Sequence, residues 1–207
     1  MDNIFGYKIF DSKYPQMKII ETPKFILRPA TLKDVPDIYE YLSQDKVVKY
    51  LPFNPHRTMS DTKRFVQLFF LNNYRQGKVG NYVVYHKAHK KVIGNVGINN
   101  VRPRSKEGEI AICINPKYWG NNFSTELSIV NLITGFELMN LNKLVALTYS
   151  KNKYTPNSLN TLGFKYTKTY RPRRNVQLSH RFELTRHDYL KLKKEYLPNL
   201  VKSFYIK

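Results

Sequence analysis

The stretch YWGNNFSTE, Tyr118 to Glu126, has residue types suited to holding an anion, and it directly precedes the longest helical pattern in the chain. A helix N-terminus presents unpaired N–H groups and about half a positive charge. Phosphates bind there when the backbone can approach closely, which favours glycine. Gly120 meets that need. Asn121 and Asn122 are compatible with it, because asparagine tolerates the left-handed region better than other non-glycine residues. Ser124 and Thr125 add hydroxyl donors. The same residue types are also the usual helix N-caps. From the loop alone, a phosphate cradle and a capped turn both stand.

Other chemistry-bearing residues point less sharply. Cys113 lies in an apolar strand pattern with no His/Asp partner evident nearby, which reads as inert packing rather than a nucleophile. The histidines at 56, 86, 89, 180 and 187 show no metal-ligand spacing, so no metal is expected. His86 and His89 fall in a polar turn and are expected to be solvated. Two short arginine-rich turns, Arg102–Lys106 and Arg171–Arg174, each join adjacent strands and are stiffened by proline. They suit a phosphate or carboxylate partner, and equally suit solvated hairpin tips.

Composition sets outer limits. The net charge is +20, from 35 Lys+Arg against 15 Asp+Glu, which fits an anionic partner or an AT-rich genome's residue bias. Hydrophobic residues make up 42%, enough for a folded core. One cysteine excludes an internal disulfide and favours a reducing, cytoplasmic setting. No apolar run is long enough to span a membrane, and the N-terminus lacks the apolar region of a signal peptide.

The elements that must position these residues follow from periodicity. Glu21 to Thr31 reads as a strand, with Pro23 keeping its start off a central ladder. Thr31 opens a helix, with Asp34 completing a capping box and Leu32, Val35, Ile38, Tyr39 and Leu42 at helical spacing. A second helix starts at Ser60 and stops near Gly77. Strands follow over Asn81–Lys87, Lys91–Val101 and Gly108–Asn115, the last apolar on both faces and so expected to be central and buried. A helix from about Ser124 to Leu141 is expected to be packed on most sides. Lys143–Ser150 is a strand, Thr155-Pro156 starts a short helix that ends at Gly163, and two more strands precede a basic helix capped by Thr185 and Asp188.

The segment from Glu109 to Tyr166 resembles the GNAT superfamily of acyl-CoA N-acyltransferases, and within it the RimJ/RimL-type N-acetyltransferases. The carrying residues are Pro116, Tyr118, Trp119, Gly120, Thr125 and Glu126, then Asn152, Thr155 in the serine position, and Leu162-Gly163-Phe164. LRPATLKD (Leu27–Asp34), VIGNVGI (Val92–Ile98) and ELTRHDY (Glu183–Tyr189) fit as well, so the resemblance spans about residues 20–195. It implies acetyl-CoA as donor, a primary amine as acceptor, and no metal. The backbone of Ile112, Cys113 and Ile114 would pair with the pantetheine arm. Amides of Trp119, Gly120, Asn121, Asn122, Phe123, Ser124 and Thr125 would hold the pyrophosphate, and Asn152 would orient the pantetheine or thioester. Glu109 is the candidate general base, against the reading of a strand-end carboxylate paired with a lysine. Thr155 could donate to the leaving thiolate, against the reading of a helix cap. Trp119 matches the family position but could serve mainly as core. Two departures stand out: Asn122 replaces the second loop glycine, and Leu159 falls where many superfamily members carry a tyrosine acid.

The resulting expectation is an α/β (α+β) GNAT fold, a mixed and mostly antiparallel sheet of about six to seven strands flanked by helices. Its two parallel strands, around Ile112 and Ala146, would splay to admit the cofactor. Residues 21–200 form one domain, and residues 1–20 an extension that could add an edge strand or a homodimer contact. The acceptor favoured by the resemblance is a protein N-terminal amine, with a small amine as the other option. The competing class is a non-catalytic module of the same fold binding RNA or a ribosomal surface through its basic turns.

Overall fold

A computed structural model describes residues 2–51, 53–152, 155–171 and 178–205. The chain divides into two compact units, Met1–Gly97 with Ile112–Asn121 and Ile98–Ala111 with Asn122–Lys207.

The first unit opens with β1 (Asp2–Ile4), β2 (Tyr7–Asp11), β3 (Lys18–Glu21) and β4 (Phe25–Pro29). Four helices follow: α1 (Val35–Leu42), α2 (Asp45–Val48), α3 (Met59–Phe65) and α4 (Asn72–Arg75). Then come β5 (Tyr82–His86), β6 (Lys91–Arg102) and β7 (Glu107–Ile114), the last two continuing into the second unit. The hydrogen-bonded order is β1-β2-β3-β4-β5-β6, antiparallel throughout. Residues 2–21 thus supply three strands beyond the seven expected, rather than one added edge. The expected strand Glu21–Thr31 is broken by a turn. Thr22 Oγ1 accepts from the amides of Lys24 (3.3 Å) and Phe25 (3.0 Å), and Pro23 between them has no amide to give a ladder.

The Thr31/Asp34 capping box forms, but it closes a 3₁₀ turn over Leu32–Asp34 before α1 begins. At three residues per turn Leu32 rotates off the buried stripe and is 44% exposed, while Val35, Ile38, Tyr41 and Leu42 stay buried. α3 is capped by Thr58 with Asp61 and starts at Met59, one residue ahead of the expected start. It continues through a π-helical turn, Val66–Leu71, into α4. Tyr74 anchors the unit's core: its hydroxyl accepts from the Ala30 amide (3.1 Å) and donates to the Asn81 carbonyl.

The second unit begins with the far half of β6 and the near half of β7, joined through Arg102–Lys106, every residue of which is exposed. Of the other arginine-rich turn, only Arg171 is among the described residues. α5 (Phe123–Leu132) runs on through a π-helical turn, Ile133–Leu138. β8 (Lys143–Tyr149), α6 (Thr155–Thr161), β9 (Lys165–Tyr170) and β10 (Ser179–Thr185) complete the order β7-β8-β10-β9. β7 and β8 run parallel and the other two ladders antiparallel. The basic C-terminal helix is two helices, α7 (Arg186–Lys194) and α8 (Tyr196–Ser203), separated where Glu195 leaves helical geometry. As expected, α5 is enclosed, with every residue from Glu126 to Phe136 buried. β7 is not: Glu109 to Cys113 are only half-buried.

No helix among the described residues is long and apolar enough to cross a membrane.

Candidate active site

The half-buried state of β7 has a cause in its pairing. β7 and β8 are joined through three rungs, Glu107–Lys143, Gly108–Leu144 and Glu109–Val145, and the ladder ends there although β8 runs on to Tyr149. Parallel strands that part in mid-course leave strand edge unpaired.

Glu109 sits at that last rung. Its Oε2 accepts from Asn100 Nδ2 at 2.8 Å, and no lysine or arginine pairs with it among the described residues. Neighbouring carboxylates take the cations instead. Arg181 bridges Glu107 (3.1 Å) and Glu183 (2.6 Å), and Lys143 pairs with Glu183 at 2.8 Å. Burial, and then the charge on Glu109, push the Tyr170 phenol above its ordinary value.

Beyond β8, the Asn152 amide donates to the Tyr149 carbonyl (2.8 Å), and Asn152 Nδ2 donates to Thr155 Oγ1 (2.9 Å) at the start of α6. The two residues picked out by resemblance are therefore bonded to each other. Accepting this bond leaves Thr155 its own hydroxyl proton to donate. Leu159 is 3% exposed and apolar, so α6 offers no acid at that position.

The loop starts from a pinned base in the first unit. Asn115 is fully buried; its Oδ1 accepts from the Lys117 amide (3.1 Å) and its Nδ2 donates to Glu40 Oε1 (3.1 Å) on α1. Glu40 also pairs with Lys117 (2.9 Å) and with Lys91. Those two ammonium groups draw its carboxyl down to about 2. Sequence reasoning missed this hub, because nothing in residue spacing links Glu40 to Asn115. Tyr118 is buried, its hydroxyl 2.7 Å from His89 Nδ1. His89 also stacks on His86 at 4.3 Å, and His86 packs edge-on to Phe25. His86 is therefore buried rather than solvated, and burial lowers its pKa. Trp119 is 53% exposed rather than core, its Nε1 donating to the Ile114 carbonyl at 2.9 Å.

Past Trp119 the backbone takes two left-handed steps, Gly120 at φ +82° and Asn122 at φ +57°. A Cβ at Gly120 would meet nothing within 4 Å. Asn122 is the N-cap of α5 but makes no side-chain cap bond; its carbonyl receives the amides of Thr125 (3.1 Å) and Glu126 (3.2 Å). The Asn121 side chain turns back to the Tyr118 carbonyl (3.3 Å), and the Ser124 carbonyl accepts from Ser128. The loop is thus not a side-chain-capped turn. At Gly120 an added Cβ would meet none of the described residues within 4 Å, so the backbone before the helix start is open there, as anion binding at a helix N-terminus favours.

Cys113 lies in the β7 segment of the first unit, its carbonyl packed so closely on Gly94 that a Cβ there would fall 2.2 Å away. The residue as a whole is half-buried, but its sulfur is enclosed, and that burial pushes the thiol up to about 12. At pH 8 the thiolate fraction is then on the order of one in 10⁴, and the thiolate is the reactive form. Native protein is expected to resist iodoacetamide at pH 8 over an hour in which urea-unfolded protein is fully alkylated. Equal labelling in the two states, read by mass spectrometry, would show the thiol to be open.

The family model for the acetyltransferase (GNAT) domain matches residues 24–165. An uncharacterised N-acetyltransferase, p20, of Bacillus licheniformis is 26% identical over 150 residues, covering 72% of this chain and 83% of that protein. Among solved structures, the ribosomal-protein-S5-alanine acetyltransferase of Vibrio fischeri superposes with a TM-score of 0.70 at 19% identity, covering 83% of this chain and 98% of that one. The spermidine N-acetyltransferase of Vibrio cholerae, in complex with CoA and spermine, gives 0.71 at 18%, covering 82% and 99%. The chain belongs to the GNAT acetyltransferase family. It has the GNAT fold and is an N-acetyltransferase, with acetyl-CoA as the family's acyl donor.

Proposed function

We propose that this enzyme passes the acetyl group directly from acetyl-CoA to a protein N-terminal amine, as RimJ/RimL-type enzymes do. The observation that carries the cofactor assignment is the uncapped start of α5 behind two left-handed residues. Backbone amides between Gly120 and Ser124 hold the pyrophosphate there, those of Trp119 and Thr125 being bonded to the Pro116 and Asn122 carbonyls, and the Ile112–Ile114 backbone takes the pantetheine arm. Glu109 accepts the amine's proton, directly or through water, so that the nitrogen lone pair can attack the thioester carbonyl. As the C–S bond breaks, Asn152 orients the acyl arm and Thr155 Oγ–H offers a proton to the departing sulfur. Residues 21–200 are the catalytic domain in this reading, and the setting is cytoplasmic.

Charge favours a protein acceptor over a polyamine; the structural neighbours include both ribosomal-protein and spermidine acetyltransferases and do not separate the two. A net charge of +20 repels a polycation, whereas it attracts a substrate presented on an anionic surface such as a ribosome, and the exposed Arg102–Lys106 tip suits that contact.

The test begins with melting temperature at moderately high salt. Acetyl-CoA at about 100 times its dissociation constant stabilises by about 2.7 kcal/mol, or roughly 5–10 °C for a chain of this size. Dephospho-CoA and a polyanion are the controls. A shift with acetyl-CoA and none with the polyanion is expected, followed by acetylation of peptides with a free N-terminus and no turnover of spermidine. The same shift with any polyanion would remove the cradle, and preferential turnover of spermidine would remove the acceptor assignment.

A further inference from the structure

One polar side chain in α5 does not fit its surroundings. Asn131 is fully buried in a helix whose inward residues are otherwise mostly apolar. Its Nδ2 donates to the Ala111 carbonyl at 3.2 Å, and its Oδ1 has no hydrogen-bond partner among the described residues. Three residues on and one turn along the same face, Thr134 Oγ1 is equally buried and equally unpartnered. The π-helical turn that departs from ordinary helix spacing begins between the two, at Ile133. Such turns are rare and concentrate at functional sites.

The level at which this happens matters. At Gly135 the helix lies so close to β8 that a Cβ would fall 2.6 Å from Leu144 Cδ2, beside the Gly108–Leu144 rung. Asn131, one turn nearer the start of α5, reaches Ala111, two residues past the last rung at Glu109–Val145. So β7 is bonded to β8 up to Glu109 and to the α5 side chain at Ala111. A leucine at this position would take this donor from the Ala111 carbonyl, so the amide serves that bond and not packing alone.

We propose that Asn131 is a positioning residue for acetyl-CoA: by holding the Ala111 carbonyl it fixes the course of β7 where the strand has left β8, and so keeps the strand edge set for the acyl arm. This rests on the assignment of the acyl arm to β7 made above. The arm is at issue and the nucleotide is not, so the two halves of the cofactor separate this role from general damage.

The experiment is calorimetric titration of wild type, Asn131→Leu and Asn131→Ala with acetyl-CoA and, separately, with adenosine 3′,5′-bisphosphate, which lacks the pantetheine arm and the phosphate that joins it. Kinetics on any acceptor turned over accompany it. The expected result is a rise of about tenfold in Kd and KM for acetyl-CoA, unchanged affinity for the bisphosphate, and kcat at saturation within about twofold of wild type. Should Asn131→Leu fail to fold, Asn131→Ala carries the same comparison. Parallel loss of both ligands, or of neither, overturns the inference. A wild-type chain that binds the bisphosphate but not acetyl-CoA overturns the arm assignment itself, and the inference with it.

Discussion

Glutamine in place of Glu109 is expected to lower kcat at neutral pH by about 10²–10³-fold, the lower part of the range typical of losing a positioned base. The substitution keeps the side chain's length and an oxygen able to accept from Asn100 Nδ2, the bond now made at 2.8 Å. It removes no ion pair, since the nearby cations are taken by Glu107 and Glu183. Melting temperature and its rise with acetyl-CoA should therefore match wild type. What is lost is a place for the amine's proton, and an amine that cannot shed its proton has no lone pair to attack with. Raising the pH supplies unprotonated amine from solvent, so the deficit should narrow steadily toward high pH. A loss under about threefold at pH 7, or a deficit that does not narrow with pH, would move the base elsewhere.

That prediction depends on where β7 leaves β8, which is the least legible feature of the sequence. The run Ile110 to Ile114 reads as a strand buried on both faces, because side-chain type reports burial and not which edge is paired. The structure leaves Glu109 to Cys113 half-buried because the β8 ladder stops at Glu109. Local signals fared better. Thr31 with Asp34 and Thr185 with Asp188 both form the caps that their spacing predicts, and Asn122 adopts the left-handed conformation that asparagine tolerates. The failures are tertiary. Leu32 keeps the helical spacing yet is exposed, because the first turn is 3₁₀. His86 is buried by Phe25 and His89, a stacking that no spacing rule encodes. Asn131 offered one usable signal, an amide inside an apolar helical run, but its partner at Ala111 lies 20 residues away.

Asp34→Ala should cause the largest loss of stability among single polar substitutions. The carboxylate is 6% exposed and makes two bonds to Arg28, Oδ1 to Nη2 at 2.7 Å and Oδ2 to Nη1 at 2.9 Å. Oδ2 also accepts from the Thr31 amide at 2.7 Å, closing the box that starts α1. Removing one partner of a buried pair costs about 3–5 kcal/mol, because the other charge is left uncompensated. Arg28 is 28% exposed and can recover some water, so the lower end applies, with a fall of roughly 6–12 °C in melting temperature. The exposed pair Lys18–Asp11 is the contrast, and Asp11→Ala should leave melting unchanged. The pH dependence separates charge from packing. Burial works to raise the Asp34 carboxyl, but the Arg28 guanidinium and the Thr31 amide outweigh it and hold the group below its ordinary value. A folded pKa below the unfolded one gives stability that is complete above the unfolded value and is lost as pH falls through the folded value. The gap in melting temperature between wild type and Asp34→Ala should accordingly stay constant from pH 8 to about 5 and shrink below about pH 4. A gap that held constant into acid would mean that Asp34 matters as a shape within the box and not as the charge beside Arg28.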